Sequence, residues 1–272
     1  MEKLIKIPKR IVIAVLSYLA ITWTMVIFID FLNIGGSSDW LVSKNMNNAL
    51  LWVHFFTEGS PTEMFQWFFI SVSVLACGVI SGLHIKKSEL SKCFMMIGLG
   101  MAIMLMEDAG NIRHLIARLV SILFYDEYSG SGSNPYATGT IVLIYSILGF
   151  LMVFPLIKYR GQLLSSVKSK SAIRWFVIGY FAYGFASVVS ATEQMGNWVG
   201  RVGAGIIDYF SLTERAAWHS RELGFYLLDF LVEESIELIG ASFIFAALLS
   251  YALSLIKDMN TVQSESKTKV TS

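Results

Sequence analysis

The sequence predicts an all-α protein: a polytopic membrane helix bundle of six transmembrane helices, with both termini cytoplasmic and amphipathic helical extensions on the outer side. Three observations predict it. Apolar residues make up 55% of the chain and the mean hydropathy is +0.60, both outside the usual soluble range. Six apolar runs reach the roughly 20 residues that a helix rising about 1.5 Å per residue needs to cross a hydrocarbon core about 30 Å thick. Basic residues near helix ends are held on the cytoplasmic side, and 15 of the 21 lysines and arginines fall in alternate segments that this topology places there.

The first run, Ile11 to Phe31, follows Lys3, Lys6, Lys9 and Arg10. That flank resembles a secretory leader, but the run is long and lacks an Ala-x-Ala exit, so it reads as a retained helix. Next comes an outer segment, Asn33 to Thr62, in which Gly35 to Ser38 lead into Trp40 to Phe56, an amphipathic stretch predicted to lie along the outer surface. The second run, Met64 to Leu83, and the third, Cys93 to Asn111, are joined by a loop carrying Lys86, Lys87 and Lys92, beside which His84 is predicted to be solvated. A Gly/Ser linker from Tyr125 to Thr138 precedes the fourth run, Thr140 to Ile157. The most basic loop, with Lys158, Arg160, Lys168, Lys170 and Arg174, precedes the fifth, Trp175 to Glu193. A long outer segment of helical periodicity, Gln194 to Val232, leads to the sixth, Glu237 to Ile256. Residues 1–10 are thus a cytoplasmic segment, 11–257 one membrane domain and 258–272 a cytoplasmic tail. Cys77 and Cys93 fall toward the cytoplasmic half, where disulfides are disfavoured and packing is the default role. Glu-x-x-Gly-Asn occurs twice, at Glu107 and Glu193, and the second, fourth and sixth runs each end in Ile-Lys, which hints at three related hairpins.

Acidic residues are distributed the other way, with 16 of 20 outside. The outer excess of negative charge disfavours nucleic acid or anionic lipid as an outer partner and favours a cation or a small extracytoplasmic molecule. The chain is expected in a plasma or inner membrane, with the bilayer as one partner and a further copy or a membrane subunit as another.

Turning 100° per residue, a helix gathers Glu107, Asn111, His114 and Arg118 on one face, and Glu193, Asn197, Arg201 and Asp208 on a second, where Gly196, Gly200 and Gly203 allow a close neighbour. A third stripe runs through His219, Glu222, Tyr226, Asp229, Glu233 and Glu237. Counted from the cytoplasmic borders, all three meet near the outer boundary of the hydrocarbon, where ionisable groups turn inward because exposure to lipid costs roughly 2.5–3.5 kcal/mol each. Their carboxylates outnumber their cations, so protons or a bound cation must compensate. Asp108, Arg113 and Glu234 point away from these stripes on the same arithmetic and read as structural ion pairs.

Histidine and carboxylate together match the ligand types of a divalent or di-metal centre, but the usual Glu-x-x-His spacing is absent. The leading expectation is an outward-facing carboxylate/His site that binds a cation or metal and acts on a lipid or small molecule. Proton- or cation-coupled transport is the alternative, which the nearly uncharged inner helix halves disfavour. The third reading is a non-catalytic subunit with a structural polar core. The bland view of the outermost stripe residues is a set of solvated helix faces. No phosphate loop, Cys-x-x-Cys, His-Glu-x-x-His or Gly-x-Ser-x-Gly motif is present, so whether the protein is an enzyme stays open.

Overall fold

The computed structural model describes residues 6–44, 50–125, 135–166, 170–193, 198–214 and 219–270, and these form helices without a strand. Six are long and apolar enough to cross a membrane: Ile7–Phe31, Leu51–Leu83, Ser88–Ala109, Pro135–Lys158, Ser171–Thr192 and Ser220–Asn260. They coincide with the six apolar runs, and the second and sixth extend farthest beyond them, each at its N-terminal end. We label the helices α1 (Ile7–Val26), α2 (Ser37–Lys44), α3 (Leu51–Phe56), α4 (Pro61–Leu83), α5 (Ser88–Ala109) and α6 (Ile112–Tyr125). The second half contains α7 (Pro135–Lys158), α8 (Arg160–Ser166), α9 (Lys170–Glu193), α10 (Trp198–Tyr209), α11 (Ser220–Tyr226) and α12 (Glu234–Val270).

The last helix is the axis of the bundle. α12 packs on α9, α4 and α1, while α5 lies between α4 and α7. Its inward residues Leu238, Ala241, Ser242, Ile244, Ala247 and Leu248 are buried, and the small ones bring neighbours close. In lipid no hydrophobic force separates helix from tail, so such close contacts and interhelical hydrogen bonds hold the bundle together. Gly179 of α9 faces Gly240 of α12: a β-carbon on Gly179 would meet the Ile244 amide nitrogen at 2.8 Å. The Trp23 indole N–H donates to Ser235 Oγ at 2.9 Å, which ties α1 to the same axis.

Two π-helical segments among the described residues, Ile27–Phe31 and Leu227–Glu233, lie at the C-terminal end of the first span and the N-terminal part of the last. The first carries Asp30, fully buried, whose two carboxylate oxygens accept the amides of Leu51 and Trp52, each at 2.9 Å. A carboxylate there caps the free N–H groups at the start of α3 and suits the positive end of its dipole. The cap pulls α3 inward. Trp52 and Phe56 are fully buried, so this part of the outer segment belongs to the core, whereas Trp40 on α2 is exposed as the amphipathic pattern predicts. Farther along, Gly203 of α10 lies against Gly224 of α11 so closely that a β-carbon on Gly203 would fall 1.9 Å from the Gly224 carbonyl oxygen.

At the opposite end His84 is buried, not solvated. Its Nε2 is 2.8 Å from the Tyr251 hydroxyl, and its ring stacks with Phe94 and Tyr251. Burial, followed by the charge of Lys87, lowers its pKa and keeps the ring neutral. The aromatic neighbours on α5 and α12 fold over a loop residue that its lysine flanks made look hydrated. Cys77 and Cys93 are buried free thiols.

Candidate functional site

The polar groups converge at the end of the bundle opposite His84, on Gln66, a fully buried residue of α4. Its Nε2 lies 3.0 Å from Asp108 Oδ2, 3.0 Å from the Tyr183 hydroxyl and 2.7 Å from Glu237 Oε2, so one amide joins α5, α9 and α12. The amide has two hydrogens for three oxygens, and its own Oε1 is buried with no hydrogen-bond partner among the described residues. The neighbouring Trp67 indole N–H also donates to Asp108 Oδ2, at 3.0 Å. Trp67 is thereby a donor to the cluster.

Arg113 supplies the positive charge. Its Nη1 reaches the Glu107 carboxylate at 3.3 and 3.4 Å, and its guanidinium lies 5.2 Å from the centroid of the Tyr145 ring. The contact depends on a break in the helix. α5 ends at Ala109, Asn111 adopts φ 48°, and α6 sets off in a new direction, which lets Arg113 fold back over Glu107. A β-carbon on Gly110 would stand 2.6 Å from the Met106 carbonyl oxygen, so glycine is required at the break. Nearby carboxylates outweigh the cost of burial and raise the Arg113 pKa further, keeping it charged.

The break overturns the first predicted stripe. Of its members, Glu107 is buried in the cluster, but Asn111 and His114 are exposed. Asn111 Nδ2 donates to Glu58 Oε1 at 3.1 Å, and His114 Nε2 accepts from Arg113 Nε at 3.3 Å. Partial desolvation of the ring, and after it the charge of Arg113, lowers the His114 pKa to about 4. Asp108 and Arg113, predicted to point away, are in the centre.

The third stripe meets a similar fate. Across Leu227–Glu233 the wide π turn, with hydrogen bonds from residue i to i+5, slips the phase behind 100° per residue. Glu233 is buried and accepts from the Ser190 hydroxyl, and Glu237 joins Gln66. Glu234 turns inward as well, into electrostatic range of Glu237, Glu63 and Asp108, with its Oε2 buried and lacking a hydrogen-bond partner among the described residues. Asp229 is partly buried outside this bonded core, while His219 and Glu222 are exposed at the start of α11. On the second stripe Arg201 and Asp208 are exposed, the Glu193 side chain and Asn197 lie outside the described residues, as does Gly196, and the predicted close approach is made by Gly203.

Beside the cluster is a cavity of about 440 Å³ between α5, α7, α9 and α12. Glu107, Asp108, Glu237, Arg113, Tyr145 and Tyr183 form its polar wall, and residues such as Leu148, Met152 and Ile244 continue it toward the middle of the spans. Three carboxyl groups face one guanidinium. Among the described residues no group of three or more His, Cys, Asp or Glu side chains is arranged to hold a metal ion. Both histidines of the expected ligand set are outside the cavity lining, so the divalent-metal reading has no support in this geometry. No known family, curated protein or solved structure matches the chain.

Sequence reasoning missed Gln66, Glu63, Asp108, Arg113 and Glu234 as members. A glutamine and a tryptophan side by side in the outer end of an apolar span were the available signal for α4, since a buried amide demands partners.

Proposed function

We propose that this is a multi-pass membrane protein whose outward-facing carboxylate site binds a cationic, amine-bearing group of a small extracytoplasmic molecule or lipid. The observation that carries the reading is the excess of carboxyl groups over guanidinium on the wall of a cavity large enough for a ligand. Asp108 and Glu237 are the recognising groups. Gln66 and Trp67 position Asp108, Gln66 and Tyr183 frame Glu237, and Arg113 holds Glu107 and closes the outer rim. The termini are placed in the cytoplasm, on the strength of the basic loops, which orients the site outward in a plasma or inner membrane.

A structural polar core is the second reading, and the bridging of three helices by Gln66 favours it. Ethylamine separates the two. It should perturb Trp67 fluorescence in purified wild-type protein through Asp108, and Glu237→Gln or Asp108→Asn should weaken that response at least about tenfold while the melting temperature stays within a few degrees. Variants that melt early, with no ethylamine response in the wild type, would establish the structural reading instead.

A further inference from the structure

A second cavity, of about 270 Å³, lies nearer the cytoplasmic end, with Phe94, Ile97, Leu156, Phe176, Val177 and Leu248 in its wall. It is almost wholly apolar, Arg160 being its charged residue. The same helices enclose both cavities: α5, α7, α9 and α12, with α8 added at the inner end.

They are separated by little. The nearest lining residues of the two cavities are Val153 and Leu156 on α7, Tyr180 and Val177 on α9, and Ile244 and Ala247 on α12. Each of these pairs is three residues apart, a rise of about 4.5 Å, whereas on α5 Ile97 and Met104 stand about 10 Å apart along the helix. The partition consists of side chains. The rings of Tyr180, from the outer cavity, and Phe176, from the inner one, are 4.4 Å apart, and Met152, with a flexible thioether, also lines the outer cavity. The Tyr180 hydroxyl is buried there without a hydrogen-bond partner among the described residues.

The outer cavity also opens sideways. Ser146, Gly149 and Val153 on α7 and Gly184 and Val188 on α9 line it and are exposed, because α9 packs mainly on α12 and α7 mainly on α5 and α6. A β-carbon on Gly149 or Gly184 would meet nothing within 4 Å. In a bilayer that opening faces acyl chains. From Val142 to Leu156 the two cavities together extend about 21 Å, longer than one leaflet of a hydrocarbon core about 30 Å thick.

We infer that the two cavities are one seam for a long-chain amine amphiphile, which enters between α7 and α9, sets its ammonium group against Asp108 and Glu237, and threads its chain past Tyr180 and Phe176. This rests on the cation reading of the polar wall and adds the ligand class and the route. Rotation of the Tyr180, Phe176 and Met152 side chains joins the cavities without movement of a helix backbone.

The test uses the full chain in phosphatidylcholine nanodiscs with radiolabelled hexadecylamine, hexadecyl sulfate and ethylamine as probes. Gly184→Leu and, on the opposite wall, Gly149→Leu fill the seam where open space is available. Hexadecylamine should bind the wild type, and both variants should weaken it at least about tenfold, which corresponds to roughly two methylene groups losing their burial. Ethylamine, which has no chain to lie along that wall, should be weakened less than hexadecylamine in both. Glu237→Gln should weaken both amines. Hexadecylamine binding unaffected by both leucines, or matched by hexadecyl sulfate, would overturn the seam while ethylamine binding preserved the cation site. Loss of neither amine in Glu237→Gln would overturn the cation site itself.

Discussion

Helix α9 has two neighbours and treats them oppositely. Against α12 it uses Gly179 to bring backbones together, whereas against α7 its Gly184 borders empty space. The residue type is the same and the consequence reversed. Where a glycine faces another backbone it permits a contact that lipid cannot replace, and where it faces a cavity it keeps that cavity open. A membrane bundle can therefore be rigid along one seam and penetrable along the next.

The largest expected effect tests the tight side at its closest point. Gly179→Val would drive a side chain into the Ile244 and Gly240 backbone of α12, which cannot rotate away, so a loss exceeding about 3 kcal/mol and failure to purify as a monodisperse species are expected. Gly184→Leu should purify and melt like the wild type. Equal damage in both variants, measured by thermal unfolding with size-exclusion chromatography, would dissolve the distinction.

The next effect concerns the rim of the open seam. Arg113→Met leaves the Glu107 carboxylate, 8% exposed, without its guanidinium. Breaking one partner from a buried pair costs about 3–5 kcal/mol, and because the Arg113 side chain is 23% exposed the expected loss is at the low end, about 3 kcal/mol. Adding Glu107→Leu should restore most of it. A double-mutant cycle in denaturant that gives no coupling would show that the pair is ornamental to stability.

A smaller loss, about 2 kcal/mol, is expected from Gln66→Leu, which deprives Asp108 and Glu237 of a shared donor in a buried place. The emission of Trp67 should shift at the same time, since Asp108 would retain the indole as a remaining donor. An unchanged melting temperature together with an unchanged spectrum would remove Gln66 from the centre of the cluster.

The residues in this polar seam also show what a sequence can disclose. Length and hydropathy are properties of runs, so all six spans were legible from them, although the second and sixth helical spans begin well before the apolar runs, at Leu51 and Ser220. Glu107, Glu233 and Glu237 were legible as inward-turned residues with polar partners because each adjoins an apolar run and must find a partner. Phase was not legible. A 100° wheel carries through neither the Asn111 break nor the Leu227–Glu233 π turn, and the stripe members beyond each interruption, Asn111 and His114 in one case and His219 and Glu222 in the other, are exposed away from the cluster. His84 failed for another reason: flanking lysines describe a loop's side of the membrane, whereas its burial is decided by Phe94 and Tyr251 from distant helices.

The smallest effect lies at the outer edge of the seam, on His114. Its folded pKa is lowered to about 4, against roughly 6.5 for an unperturbed imidazole. Between those values the unfolded chain binds the additional proton, so this residue makes stability rise with pH from about 4 to about 6.5 and contributes no further change above that range. The cause can be separated from the consequence. NMR titration of the His114 ring, assigned through His114→Gln, should give a midpoint well below the ordinary value, and Arg113→Met should move it upward by removing the adjacent charge and the donor that requires a neutral nitrogen. A wild-type midpoint near 6.5 would mean that Arg113 does not rest against His114, and its guanidinium would then be free to swing away from Glu107 and open the rim of the cavity.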